Sequence, residues 1–259
     1  MYKIVFVRHG QSPWNKKGLF TGWVDAEIER NKMTDVDLTK RGIDEAIKAG
    51  KILKEKGFHF DVAYTSYLER AIKTLQIVLD QMNLMWIPVI KDWRLNEKHY
   101  GNLQGLNKKE TAKKIGEEQV FQWRRGYDVR SPKIKKTNKY YTRKDPRYKD
   151  IDKNLLPLTE SLKDVVDRVK PYWQKVIAKD IKAGKKVLVS AHGNSLRAII
   201  KYLDKVSEEE IAHLNVPTGI PLVYELDKNL KPIRHYYLGD AKEIKKLQEE
   251  VKNQAKIKK

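Results

Sequence analysis

Cysteine is absent from the 259 residues, which excludes a disulfide framework and a thiolate metal site. Long hydrophobic runs are missing too. No uncharged apolar stretch approaches the roughly 18 residues that a spanning helix needs. The N-terminus is no signal peptide, because its apolar stretch runs only from Ile4 to Val7 and Arg8 follows directly. This composition points to the cytoplasm. Acidic residues are scarce relative to basic ones: 34 Asp and Glu face 54 Lys and Arg, for a formal charge of +20. Nucleic acid, an acidic membrane surface or anionic metabolites could each balance such an excess. No zinc finger pattern, basic region with heptads or aromatic ribonucleoprotein motif is present, which argues against a nucleic-acid module. The excess is spread widely, with two dense places. Arg130 to Lys149 holds nine Lys or Arg against Asp145 alone, and the last 18 residues hold seven Lys against three Glu. Most of these lysines read simply as solvated surface.

What is present is an alternation of strand and helix patterns, the mark of an α/β protein. Lys3 to Val7 reads as a buried strand. Thr39 to Lys56 reads as a helix, with Ile43, Ala46, Ile47, Gly50 and Leu53 at spacings of three and four and Thr39 as its cap. Strand candidates follow at Phe60 to Thr65 and Trp86 to Ile90, separated by a helix from Tyr67 to Met82. Lys108 to Arg125 suggests one or two short helices. Val129 to Leu158 has little apolar periodicity and reads as a long ordered loop. Ser161 to Ala183 predicts a long amphipathic helix, opened by Ser161 with Asp164 three residues on. Val187 to Ser190, Leu222 to Leu226 and Pro232 to Leu238 are further strands, and Ser195 to Leu203 is a helix. The expected organisation is one catalytic domain over residues 1–240, which includes the basic loop 126–158. A charged tail over 241–259 follows it, either helical or mobile.

Two of these strands share a construction. The first runs into Arg8-His9-Gly10, and the strand from Val187 runs into Ala191-His192-Gly193. In an open parallel sheet, ligands bind outside the carboxyl ends of the strands. Both histidines could therefore meet over one pocket, with each glycine allowing a sharp turn and close approach. A lone histidine at a strand end is usually structural, but a repeated strand-His-Gly context argues for chemistry. A neutral imidazole nitrogen is a competent nucleophile near neutral pH. Phosphoryl transfer is mostly positioning and charge stabilisation, for which Arg8 offers forked donors. The strand ending at Thr65 leads through Ser66 to Arg70, a second candidate phosphate ligand. No Walker A, Rossmann, Gly-x-Ser-x-Gly or His-x-x-x-His pattern competes.

These segments resemble the histidine phosphatase superfamily, and more closely its cofactor-dependent phosphoglycerate mutases. The resemblance covers nearly the whole chain. It rests on Val7 to Asn15 (VRHGQSPWN), Phe20 to Trp23 (FTGW), Thr65-Ser66 with Arg70-Ala71, Trp93 to Gly101 (WRLNEKHYG) and Gly105 to Lys108 (GLNK). Trp123 to Arg125 (WRR), Glu160 to Leu162 (ESL), Ala191 to Arg197 (AHGNSLR) and Asn215 to Pro221 (NVPTGIP) extend it. It implies an α/β three-layer sandwich whose mostly parallel central sheet is flanked by helices. It further implies that His9 becomes phosphohistidine, that Arg8, Arg70 and His192 line the phosphate pocket beside Asn15, and that Glu97 is the general acid and base. Ser12, Thr21, Gly22, Tyr100, Lys108, Arg124, Arg125, Gly193 and Asn194 match family binding positions. The implied reaction interconverts 3-phosphoglycerate and 2-phosphoglycerate, primed by 2,3-bisphosphoglycerate as cofactor and without a metal. The implied assembly is a homodimer or homotetramer, with no nucleic-acid or membrane partner.

A bisphosphoglycerate synthase or phosphatase, or a broader phosphomonoesterase of the same superfamily, is the alternative. Ser12 argues against the synthase and the Trp93 to Gly101 segment against a simple phosphatase. Gln11 stands where many mutases have Glu, a minor departure. Between Trp23 and Leu38 the chain is longer than usual, which reads as a lengthened surface loop. Water must be kept from a phosphohistidine, and the basic loop and the charged tail are the candidate covers.

Overall fold

The computed structural model describes residues 1–24, 26–29, 32–35 and 37–255. Among them, six strands form one sheet in the order β5-β4-β6-β1-β7-β8. These are β1 (Tyr2–Arg8), β4 (Val62–Thr65), β5 (Val89–Lys91), β6 (Val187–Ala191), β7 (Pro221–Leu226) and β8 (Pro232–Tyr237). The pairs β1/β6, β6/β4 and β4/β5 are parallel, whereas β7 runs antiparallel to both β1 and β8. Inserting β6 between β1 and β4 places the C-terminal ends of all three side by side. A small antiparallel hairpin, β2 (Ala26–Glu29) with β3 (Lys32–Asp35), takes up the extra length after Trp23. The expected loop there is therefore a hairpin.

Alternation along the strands builds two cores. Val5, Val7, Ala63, Leu188 and Val223 face one side and pack under α2 (Lys40–Glu55) and α3 (Glu69–Gln81). Ile4, Phe6, Tyr64, Val189 and Tyr224 face the other. That side is covered by α6 (Leu162–Tyr172), α7 (Ala178–Lys182) and α8 (Gly193–Asp204). Burying both faces of a parallel sheet explains why these strands read as continuous apolar runs. The three-layer expectation is met. Thr39 caps α2 by accepting from the Gly42 amide.

Three other elements refine the sequence reading. The helix expected from Ser161 begins with the anticipated Ser161 and Asp164 capping box. It is then interrupted at Trp173–Ile177 by a π-helical stretch just past Pro171. Proline has no N–H for the α-helical ladder, and a widened turn is one way to continue past it. Lys108 to Arg125 forms two helices, α4 (Lys108–Ile115) and α5 (Glu117–Arg125), broken at Gly116 with φ 104°. The basic loop is ordered by buried anchors: Tyr148 accepts from Asn96 Nδ2 at 2.8 Å, and Thr142 Oγ1 lies 2.8 Å from His99 Nε2. A short helix α9 (Glu208–His213) precedes β7. The tail forms α10 (Ala241–Asn253), which buries Leu247 and faces α2 through Arg41–Glu250 at 2.6 Å and Lys48–Glu243 at 3.3 Å.

Candidate active site

The register of β1 against β6 pairs Arg8 with Ala191, so the next residue of each strand is a histidine. The His9 amide donates to the Ala191 carbonyl at 3.0 Å, and the two imidazole centroids lie 4.9 Å apart. His9 is 1% exposed. Its Nδ1 sits 2.8 Å from the Gly10 carbonyl, which can only accept, so Nδ1 carries the proton and Nε2 keeps its lone pair. Arg70 Nε approaches that lone pair at 3.4 Å.

The turn that follows is held from three sides. The Gly10 amide donates to Thr74 Oγ1 at 3.0 Å, and the Gln11 amide donates to Glu45 Oε2 at 2.8 Å. Thr39 Oγ1 donates to Gln11 Oε1 at 3.0 Å, so glutamine at that position makes a local contact. A Cβ on Gly10 would lie 2.2 Å from the Gly42 carbonyl oxygen, so α2 can approach only because both residues are glycine.

Charge is arranged around these histidines. Arg8 Nη1 donates to Val216 O at 2.7 Å, while its buried Nε has no partner among the described residues. Arg70 donates to the carbonyls of Gly22 at 2.9 Å and Val24 at 3.2 Å. His192 Nε2 lies 2.8 Å from Ser66 Oγ, and its buried Nδ1 is likewise unpartnered among the described residues. Burial, then the charges on Arg70 and Arg8, hold the pKa of His9 well below that of a free imidazole. Burial, Arg70, His9 and Arg8 do the same to His192. Both rings are therefore neutral near neutral pH, and protonation of His192 would require added negative charge nearby.

Glu97 is the buried carboxylate of the cluster. Its Oε1 accepts from the amides of Lys98 and Asn194, both at 2.9 Å. Burial pushes its pKa up, but the Lys98 amide, Arg8, Arg70 and the Asn194 amide outweigh that and keep it below the ordinary carboxylate value. Trp23 Nε1 and Arg168 Nη2 hold the Glu97 carbonyl at 2.5 Å and 3.0 Å, fixing the segment from behind. Tyr100 OH accepts from Asn194 Nδ2 at 3.2 Å. Gly193 leaves room beside Arg8 and Glu97, because a Cβ there would lie 3.4 Å from the Arg8 guanidinium carbon.

One cavity collects these groups. Arg8, His9, Asn15, Thr21, Gly22, Arg70, Glu97, Tyr100, Lys108, Arg124, Arg125, Gly193 and Asn194 all line it. Ser12 and His192 do not: Ser12 caps α1 (Pro13–Lys16) and exchanges hydrogen bonds with Asn15, while His192 sits behind the wall against His9 and Ser66. Arg125 reaches the wall but spends donors on Ala212 O at 2.9 Å, Leu214 O at 2.5 Å and Asn215 Oδ1 at 2.9 Å. The sequence reading missed four lining residues: Arg197, Val216, Val251 and Gln254. The last two belong to the tail, whose amphipathic charge pattern was their only signal. Lys108 Nζ donates to Gln254 Oε1 at 3.0 Å. With the tail seated, the cavity volume is about 60 Å³, the scale of about two water molecules. None of residues 126–158 lines this cavity, so of the two covers expected from sequence, only the tail reaches it.

The family model of the histidine phosphatase superfamily (branch 1) matches residues 4–154 and 136–237. Proteins named 2,3-bisphosphoglycerate-dependent phosphoglycerate mutase from Borreliella burgdorferi, strains ZS7 and B31, are each 57% identical over 258 residues and cover 100% of both chains. Among solved structures, phosphoglycerate mutase from Bacillus anthracis is similar with TM-score 0.61 and 21% identity, covering 95% of this chain and 96% of that one. A mycobacterial glucosyl-3-phosphoglycerate phosphatase is similar with TM-score 0.66 and 19% identity, covering 93% and 99%. At such identities the structural likeness speaks for the fold alone.

The electrostatics can be checked directly. In a nitrogen-15 NMR titration, His9 and His192 should both stay neutral from about pH 8 down to about pH 6, their midpoints lying well below the 6.5 of a free imidazole. A transition of either ring near 6.5 would contradict the arrangement.

Proposed function

The chain belongs to the histidine phosphatase superfamily and, within it, to the 2,3-bisphosphoglycerate-dependent phosphoglycerate mutases; we propose that it interconverts 3-phosphoglycerate and 2-phosphoglycerate through a phosphorylated His9. The carrying observation is one cavity lined by a buried, neutral His9, Arg70 and an ionised Glu97, with the His192 ring packed against His9 from behind the wall. That set contains a nucleophile, phosphate-stabilising donors and a proton carrier.

In this reading, Nε2 of His9 takes the phosphoryl group while the Nδ1–H bond to Gly10 fixes the ring and supports the charge that develops on it. Arg8, Arg70 and His192 stabilise the three equatorial oxygens, a role given to side chains rather than to a metal ion. The unpartnered Arg8 Nε on the cavity wall supports the fit, because a buried guanidinium donor without a partner suits an anionic group. Bound 2,3-bisphosphoglycerate supplies the phosphoryl group that primes His9. Glu97 then removes the proton of the free substrate hydroxyl as that oxygen attacks the phosphorus and the bond to His9 Nε2 breaks. In the second half the other phosphoryl group returns to His9, and Glu97 gives the proton back to the oxygen it leaves. Lys108 and Arg124 are assigned to the remaining anionic groups of substrate, supported by their burial on the same cavity wall. Arg125 serves mainly through the α9 carbonyls that it ties down.

The tail is assigned the cover. Val251 lines the cavity and Gln254 occupies Lys108, so in this reading α10 swings aside as substrate enters. Its ion pairs to α2 are exposed and therefore weak, which suits a cover that moves. Residues 1–240 as the catalytic unit and a cytoplasmic place for it belong to the same reading. So does self-association: β5 is a sheet edge, and Met85, Trp86 (72% exposed), Val89 and Ile90 form an exposed apolar patch on it. A second copy of the chain paired along that edge would cover the patch and give a homodimer, two of which could form a tetramer.

Phosphorus NMR of 3-phosphoglycerate in EDTA should show 2-phosphoglycerate appearing faster when 2,3-bisphosphoglycerate is added; release of inorganic phosphate alone would make the enzyme a phosphatase. His9→Ala should remove the phosphoenzyme and lower turnover by at least about 10³-fold, and retained activity would sink the mechanism. Truncation after Asp240 should raise phosphate release relative to mutase turnover, whereas an unchanged ratio would count against the cover. Trp86→Lys should shift the wild-type oligomer toward monomer in sedimentation; an unaltered distribution would move the interface elsewhere.

A further inference from the structure

Lys98 is an unusual residue for its location. It is 0% exposed, yet no carboxylate accepts from its ammonium in the hydrogen bonds among the described residues. Its Nζ donates instead to Trp123 O at 2.9 Å and Arg124 O at 3.3 Å. These are carbonyls of the last turn of α5, which have no partners within the helix and sit at the negative end of its dipole. The next carbonyl, Arg125 O, accepts from the buried Arg197 Nη2 at 3.1 Å. Two buried cations therefore bind the helix end that presents Arg124 and Arg125. The same Lys98 is joined to the proton carrier from its other side, since its backbone amide donates to Glu97 Oε1 at 2.9 Å.

We propose that Lys98 is a positioning residue that sets the last turn of α5, and with it Arg124, against Glu97 for binding the anionic substrate. The inference rests on the reading of this cavity as the phosphoglycerate site, and it adds a residue that does not itself touch the substrate. A residue at this position without a side-chain donor would leave two helix-end carbonyls buried and unpaired. The end of α5 would then relax away from the Glu97 segment.

The bond is also sensitive to pH. Burial, Arg197 and Arg125 lower the Lys98 pKa to about 7, against the raising influence of Glu97 and Glu160. The other group facing the ammonium is the Tyr100 ring, whose centroid is 5.0 Å away. Below about pH 7 the ammonium holds the helix end; above it, the charge-assisted bonds weaken and substrate affinity falls.

The test compares wild type, Lys98→Met and Lys98→Arg by KM and kcat for 3-phosphoglycerate across pH, with thermal unfolding in parallel. Lys98→Met should raise KM about tenfold or more and change kcat less, with His9 phosphorylation retained at saturating donor. Lys98→Arg, which keeps two donors and does not titrate, should return KM to within about threefold of wild type and flatten the rise of KM above about pH 7. A Lys98→Met enzyme with wild-type KM would overturn the proposal, as would one losing only kcat in step with its unfolded fraction. If Lys98→Met does not fold, Lys98→Arg decides: a rise in KM above pH 7 identical to wild type overturns the proposal. An inactive wild type would refute the functional reading itself, whereas an active wild type with indifferent Lys98 variants refutes only this inference.

Discussion

The parallel pairing of β1 with β6 is the constraint from which the site follows. Register sets Arg8 beside Ala191, and the hydrogen bond from the His9 amide to Ala191 carries that register one residue past the sheet. Two imidazoles distant in sequence then lie ring against ring. A slip by one residue would turn the side chains of β1 to the opposite layer. That slip is opposed by both cores, because Ile4 and Phe6 pack beneath α6 and α8 while Val5 and Val7 pack beneath α2 and α3. The placing of the two histidines is thus secured by hydrophobic burial on two faces, away from the cavity.

Electrostatics around the pair favour an anion over a proton. The cavity wall brings together Arg8, Arg70, Lys108, Arg124, Arg125 and Arg197 with Glu97. Clustering cations in a buried place is costly, and the cost appears as depressed proton affinity in His9, His192, Lys98 and Lys108. A doubly or triply charged phosphoglycerate relieves that repulsion. The same logic keeps Glu97 ionised and ready to accept a proton. Preorganised charge of this kind acts without reorganisation at the moment of transfer.

Around this rigid centre the structure separates firm supports from loose ones. The Glu97 segment is clamped by Trp23, Arg168 and the Arg168–Glu160 pair, whose side chains are buried. The basic loop latches onto that segment through Thr142 with His99 and Tyr148 with Asn96, and so contributes a buttress rather than a cover. By contrast, α10 is seated by exposed ion pairs worth at most about 1 kcal/mol each. Arg41 links two of these regimes. It bonds Glu250 of the tail and also Glu45, whose other oxygen holds the Gln11 amide two residues from His9.

The alternating strand and helix order, the two strand-His-Gly elements, Arg70 and the family to which their motifs belong are all legible in the order of residues along the chain. Those features are local: apolar alternation, a cap such as Thr39 or Ser161, and a glycine where the chain must turn sharply all act over a few residues. Tertiary structure decided what depends on distant partners. Arg125 matched a family binding position and Lys98 carried no reading of its own, and only folding shows one tying down α9 and the other buried at the end of α5. Ser12 matched a binding motif, yet its side chain is used as a helix cap. The hairpin after Trp23 and the place of Val251 and Gln254 on the cavity wall were likewise invisible in local periodicity. Burial converts a lysine from solvated surface into a structural charge, and burial is a property of the whole fold.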